Sequence, residues 1–88
     1  MSGLDDTIAE AVTEVLERVL RRSRTTFSLA EDLVRDLKIA SDDLSFMFVP
    51  ELERKLNVQI PAKEWLSVHT GADACSLLKR HLMPRADD

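Results

Sequence analysis

Residues 36–61 read DLKIASDDLSFMFVPELERKLNVQIP, and this stretch decides the fold that we predict for the chain. It begins in an acidic loop, passes a candidate helix N-cap at Ser41, Asp42 or Asp43, and ends at Pro61. The apolar residues between these ends recur at helical spacing. One face of the predicted helix holds Leu44, Met47, Phe48, Leu52 and Leu56. The pattern predicts a helix whose N-terminus lies on the surface.

A proline interrupts this helical pattern. Within a helix, Pro50 would lose its hydrogen bond to the carbonyl of Phe46, at a cost of roughly 3 kcal/mol. At the first helical position the same residue costs nothing, because its missing N–H would have no partner there. We therefore expect either a kink near residues 46–49 or two short helices, the second of which begins at Pro50.

Helical periodicity also extends through the rest of the chain. Apolar residues at steps of three and four predict a first helix from Leu4 to about Ser23. Three leucines spaced four apart predict a short helix over residues 29–37, within the long connection that leads to residue 40. A short helix follows Pro61 and contains Trp65, which we expect to fill the core.

The last predicted helix runs from about Gly71 to Leu82. Four pairs of residues have the spacing of a capping box, in which two side chains satisfy the free backbone N–H groups at a helix start. These pairs are Ser2 with Asp5, Thr7 with Glu10, Ser28 with Glu31, and Thr70 with Asp73. The sequence therefore predicts an all-α fold of four helices with a long first loop and a short third helix.

Length and composition indicate one small domain over residues 1–83, followed by a polar tail at 84–88. The 88 residues are 44% hydrophobic and 32% charged, which allows a single core but no deep cavity. We find no apolar run of membrane-spanning length and no secretory signal, so we expect a cytoplasmic location. The single cysteine, Cys75, permits no internal disulfide.

The charge is unevenly distributed. The net charge is -4, but residues 31–53 contain seven acids and two bases, a local balance of -5. This acidic segment favours a basic partner surface and disfavours nucleic acid, although it is equally typical of a solvated face. Four arginines at the end of the first helix complement the negative helix C-terminus, and we prefer this interpretation to a phosphate contact.

The sequence does not favour catalysis. His69 and His81 have no acidic or cysteine partner at metal-ligand spacing, so no zinc site is predicted. We expect Cys75 to be a small buried hydrophobe. A glycine-rich phosphate loop is excluded, because the chain has only two glycines. We therefore expect a protein that is not an enzyme.

Two motifs carry a resemblance to a known family. Residues 36–41, DLKIAS, resemble the Asp-Leu-Gly-x-Asp-Ser loop of acyl carrier proteins, and residues 56–61, LNVQIP, are similar to the Phe-x-x-x-Ile-Pro that ends their second helix. The resemblance covers roughly residues 5–83. It implies a small four-helix bundle, a 4'-phosphopantetheine arm on Ser41, and a role in fatty acid or polyketide biosynthesis. The implied partners are acyl-handling synthases or transferases and a phosphopantetheinyl transferase.

The sequence departs from the family pattern around the serine. Lys38 stands in place of the glycine, Ala40 in place of the aspartate, and Asp42 in place of the leucine that follows the serine. Counting from Asp36 places the modified position at Ser41, whereas counting back from Pro61 places it at Asp42, so the chain holds one extra residue between the anchors. A branch of bacterial carrier-like proteins of unknown function has a Gly-Asp-Asp sequence here and lacks the serine, and this chain is similar to that branch too.

Two hypotheses from different functional classes follow. The first is a carrier-like protein that tethers an acyl group on Ser41 and docks on partner enzymes through its acidic helix. The second is a non-carrying interaction or regulatory protein of the same fold. In both, the candidate partner-binding residues are Asp42, Asp43, Glu51 and Glu53. A third, less favoured hypothesis is a small acidic inhibitor of a nuclease or toxin, which would act by charge masking.

Overall fold

The computed structural model describes residues 3–82, and this part of the chain holds four helices, one 3₁₀ turn at Arg24–Thr26 and no β-strand. Helix α1 spans Leu4–Leu20. A continuous helical run over residues 41–56, here α2, is α-helical at Ser41–Asp43, π-helical at Leu44–Phe48 and α-helical at Val49–Leu56. The short helix α3 spans Ala62–Trp65, and α4 spans Gly71–Leu82. The predicted all-α class with a long first loop and a short third helix is confirmed, and the predicted tail at 84–88 lies outside the described residues.

One apolar core joins these elements. Helix α1 packs against α4 and against the last part of α2, while α3 contacts α4. Leu16, Leu52 and Leu78 are fully buried where these helices meet. Burying each such side chain stabilises the fold by about 1.5–3 kcal/mol relative to leaving it exposed. Among residues 3–82, no helix is both long and apolar enough to cross a bilayer.

Helix α1 begins without the capping box that the sequence predicted. Its N-cap is Gly3, no side chain caps it, and the N–H of Thr7 donates to the Gly3 carbonyl. The predicted Thr7–Glu10 capping box is therefore wrong, because Thr7 already lies inside the first turn. The predicted Ser2–Asp5 capping box includes Ser2, which lies outside the described residues. The helix ends at Leu20, three residues earlier than predicted, with Arg21 in the left-handed conformation.

The basic end of α1 is tied to carboxylates of the same domain. The Arg24 guanidinium lies 2.9 Å from a carboxylate oxygen of Glu10 and 3.1 Å from one of Glu17. Hydrogen bonds from Arg24 lower the pKa of both carboxyls below their ordinary value. Arg18 lies 3.3 Å from Glu51 on α2. Arg24 and Arg18 therefore pair with acids of the same domain, which favours a structural interpretation of the cluster over a phosphate contact.

The predicted short helix over residues 29–37 is wrong, and the segment is a series of turns. Leu33 and Leu37 are buried as their spacing suggested. However, the N–H of Leu33 donates to the carbonyl of His69 at 2.8 Å.

The Asp32 carboxylate accepts from the N–H groups of Val34 and Arg35. The N–H groups of Asp36 and Leu37 both donate to the Asp32 carbonyl, so a single helical turn closes there. No i→i−4 ladder follows, because a distant segment and an aspartate side chain satisfy the other backbone groups.

Pro50 is accommodated by a π-helical turn within an unbroken helix. Val49 donates its N–H to the carbonyl of Leu44, five residues back, and Pro50 then lies in the first turn of the α-helical segment Val49–Leu56. A π turn holds more residues than an α turn, so it accommodates one extra residue without ending the helix. The sequence predicted that Pro50 interrupts the helix at this position, through either a kink or a division into two helices. The structure has a π turn instead, which the sequence did not predict.

Candidate functional site

Ser41 is the first residue of α2 and is exposed. The buried side chain of Ile39 fixes the preceding loop to the core, and Ala40 is the N-cap, with an extended backbone. The predicted N-cap at Ser41, Asp42 or Asp43 is therefore wrong: the helix starts one residue earlier, and no side chain caps it. Consequently the Ser41 hydroxyl is not occupied in capping, and it lies beside backbone N–H groups that the helix itself leaves free.

Lys38, three residues before Ser41, has a left-handed backbone with φ of 61°. This region favours glycine, because a Cβ there crowds the following carbonyl. The loop therefore makes a glycine-type turn with a lysine in it, immediately before Ile39 returns to the core.

Ser41 lies at the edge of an apolar cleft of about 540 Å³. One wall is α2, another is the short helix α3 with the residue after it, and a third is the turn around residue 33. The apolar lining includes Val34, Leu44, Val49, Ile60, Trp65 and Leu66. Val34 and Leu66 are exposed by 50% and 79%, so this side of the protein offers apolar surface to a bound molecule.

Trp65 links the cleft to the core. It is half-buried, and its ring meets the ring of the buried Phe48 edge to face, with centroids 6.3 Å apart. The indole Nε1 is buried, and within residues 3–82 it has no hydrogen-bond partner. The prediction that Trp65 fills the core holds for its contact with Phe48, but the same residue also lines the cleft.

The four predicted partner-binding acids fall into two groups. Asp42 and Asp43 are exposed, and neither forms an ion pair within the described part of the chain. Glu51 is paired with Arg18, and the Glu53 carboxylate accepts a hydrogen bond of 3.0 Å from the Ile60 N–H. Asp42 and Asp43 therefore have their charge free for a partner, whereas Glu51 and Glu53 contribute to the packing of α2.

The π turn distributes three neighbouring apolar residues to different sides of α2. Phe48 is 1% exposed, whereas Met47 is 43% and Phe46 76% exposed. The prediction that Met47 shares the core face with Phe48 is wrong, because that face was derived from an uninterrupted period of 3.6 residues.

His81, Glu64 and Cys75 act within the fold. His81 on α4 lies 2.8 Å from the Glu64 carboxylate on α3, and this contact lowers the pKa of Glu64. The two residues are seventeen apart, so no spacing rule in the sequence indicated the pair. Burial raises the pKa of the Cys75 thiol, which keeps it protonated. Among the described residues, no cluster of three His, Cys, Asp or Glu side chains could hold a metal ion.

Comparison with known proteins gives no match: no family model, no curated protein and no solved structure matches this chain.

Proposed function

We propose that this protein is an acyl-carrier-protein-like module that carries a phosphopantetheine arm on Ser41 and presents the acidic start of α2 to partner enzymes. The observation that carries the proposal is the position of Ser41, an exposed hydroxyl at a helix start and at the edge of an apolar cleft. An attached phosphodiester would lie at the positive end of the helix dipole, which favours an anion.

The cleft supports the same proposal. A volume of about 540 Å³ falls within the range of ligand pockets, and the lining is largely apolar. When bound, the arm supplies a thiol that holds an acyl group as a thioester. Ser41 would provide the attachment oxygen, while residues such as Leu44 and Trp65 would cover the apolar chain. The left-handed backbone of Lys38 also supports the proposal, because the resemblance places a glycine at that position.

Intact-mass spectrometry tests the proposal directly. Purified protein is incubated with coenzyme A, Mg²⁺ and a phosphopantetheinyl transferase, and we expect a mass gain of one arm. Ser41→Ala should abolish the gain. Ser45→Ala is the matched control, since Ser45 is also exposed and lines the same cleft, and it should keep the gain. No gain with several transferases, or a gain that persists in Ser41→Ala, would contradict the proposal.

A second candidate function is a non-carrying interaction protein of the same fold that binds a basic partner surface. The observation that favours it is the pair of exposed acids Asp42 and Asp43, whose charges lack partners within residues 3–82. Under this function the chain gains no arm with any transferase, yet Asp42→Asn with Asp43→Asn weakens partner binding.

A further inference from the structure

The indole Nε1 of Trp65 is a buried hydrogen-bond donor without an acceptor. Among residues 3–82 it is the one buried side-chain nitrogen or oxygen that has no partner. An indole N–H can only donate, so an acceptor is the only group that satisfies it. Most buried polar side-chain atoms in native proteins have a partner, because an unpaired one destabilises the fold. The unpaired Nε1 therefore needs a physical explanation.

The surroundings of Trp65 are apolar. Its ring contacts the ring of Phe48, and the next residues along the cleft wall are Leu66 and Val68. None of these three side chains can accept a hydrogen bond from the indole. A buried water typically makes about three hydrogen bonds, and the same side chains offer it no partner.

A molecule in the cleft can supply the acceptor that the protein does not. Trp65 lines the cleft beside Ser41, and the one carboxylate in the lining, on Glu53, already accepts from the Ile60 N–H. Ligand pockets are mostly apolar, and the few polar groups in them provide orientation and specificity. Trp65 is half-buried, and side-chain adjustments are common on binding, so its ring can turn Nε1 towards a bound chain.

The unpaired donor discriminates between two classes of acyl chain. A saturated chain in the cleft leaves the indole N–H without an acceptor. A chain that carries an oxygen along its length pairs with it, and sites built around a hydrogen bond disfavour analogues that lack the bonding group.

We propose that Trp65 selects acyl chains that carry an oxo or hydroxyl group, through a hydrogen bond from its Nε1 to that oxygen. The inference rests on the proposed function, because it takes the acyl chain as the occupant of the cleft, and it adds the class of chain. The apolar lining holds the hydrocarbon, while Nε1 binds the oxygen.

Nuclear magnetic resonance on the full chain without an arm, checked by intact mass, tests the inference. Trp65 is the only tryptophan, so the proton–nitrogen correlation spectrum contains a single indole resonance. The probes are octanoyl pantetheine and its analogues with an oxo group at the third, fifth or seventh carbon. All share the same thioester, so only the added oxygen differs. At least one oxo analogue should shift the indole proton downfield, and octanoyl pantetheine should not.

Trp65→Phe removes the donor and keeps an aromatic ring beside Phe48. Calorimetric titrations give the ratio of the affinity for the best oxo analogue to the affinity for octanoyl pantetheine. This ratio should fall by about tenfold in Trp65→Phe, because only the oxygen-bearing chain loses a hydrogen bond. Leu44→Ala is the matched control: Leu44 lines the same cleft, so its truncation should weaken both chains and leave the ratio unchanged.

An indole resonance that no oxo analogue moves, a ratio that is unchanged in Trp65→Phe, or an equal fall of the ratio in Leu44→Ala would each overturn the inference. So would a failure of every chain to bind. If Trp65→Phe does not fold, the indole shift in the parent decides the question alone.

The outcome is separable from that of the mass experiment, because these titrations need no arm. A missing arm together with the expected indole shift refutes only the attachment to Ser41. An arm without the indole shift refutes only the selection by Trp65.

Discussion

Phe46→Ala and Phe48→Ala are the same change made two residues apart in one helix, and we expect their effects on stability to differ by roughly 2.5–4.5 kcal/mol. Phe48 is 1% exposed, so its truncation removes a buried ring and leaves a cavity, which typically costs about 3–5 kcal/mol. Phe46 is 76% exposed, and roughly a quarter of it is covered. Full burial of a phenylalanine is worth about 1.5–3 kcal/mol, so its truncation should cost roughly 0.5 kcal/mol.

Urea unfolding followed by far-UV circular dichroism measures both changes. A domain of this size has a total stability of roughly 4–13 kcal/mol, so Phe48→Ala can leave too little native protein for a reliable midpoint. Phe48→Leu and Phe46→Leu give the same comparison with a smaller loss at the buried position, roughly 1–2 kcal/mol. Trp65 is the only tryptophan and the chain has no tyrosine, so its fluorescence reports the Phe48 contact directly.

We expect the fluorescence emission of Trp65 to change in the Phe48 variants and to match the parent in the Phe46 variants. Equal losses of stability, or a larger loss in Phe46→Ala, would refute the reasoning. Such a result would mean that α2 lacks the π turn and that an ordinary α-helical period places Phe46 in the core.

Two further predictions concern the packing of the loops. Gly71→Ala should destabilise the protein by about 1–2 kcal/mol in thermal unfolding. The new Cβ would lie 3.2 Å from the Leu29 Cα and 2.7 Å from its Cδ2. The cost of this overlap exceeds the free energy gained from the higher helix propensity of alanine. Gly3→Ala, where a Cβ meets nothing within 4 Å, should stay within about 0.5 kcal/mol, because the loss of a favoured N-cap residue is offset by the lower entropy of the unfolded chain. A neutral Gly71→Ala would contradict the packing described. Arg24→Ala should reduce the loss of stability that the protein shows as the pH falls. The partner carboxyls of Arg24, on Glu10 and Glu17, have lowered pKa values in the folded protein. Their contribution to stability is therefore present above about pH 4.5 and is lost as the pH falls through the folded pKa values. Melting temperatures from about pH 7 to about pH 3 test this, and an unchanged slope in Arg24→Ala would show that the pairs do not stabilise the fold.

Much of the candidate site was accessible from the sequence. The acidic residues around Ser41 are visible in the sequence itself. The helix that follows was predicted from the apolar spacing and from the proline at residue 61, and the exposure of Ser41 follows from its place at the helix start. The cleft was not predicted. Its walls come from segments far apart in the chain, and exposed apolar residues such as Val34 and Leu66 lie outside the helical stripes that the sequence revealed.

The sequence by itself determined the features that depend on neighbours within one or two helical turns. The apolar stripes of α1 and α4 are of this kind, and so is the capping box at Thr70 and Asp73, in which each side chain accepts from the backbone N–H of the other. Residues three and four apart meet in any helix, so their types alone fix these contacts.

Only the tertiary structure decided which local preference prevailed elsewhere. Ser28 accepts from the Ala30 N–H and Glu31 from the Ser28 N–H, so a capping motif forms, yet no helix follows because the Leu33 N–H bonds to His69. The π turn likewise places Phe48 rather than Phe46 in the core. Backbone groups and large apolar side chains take whichever partner the packed fold supplies, and when that partner lies far away in the chain, local spacing does not identify it.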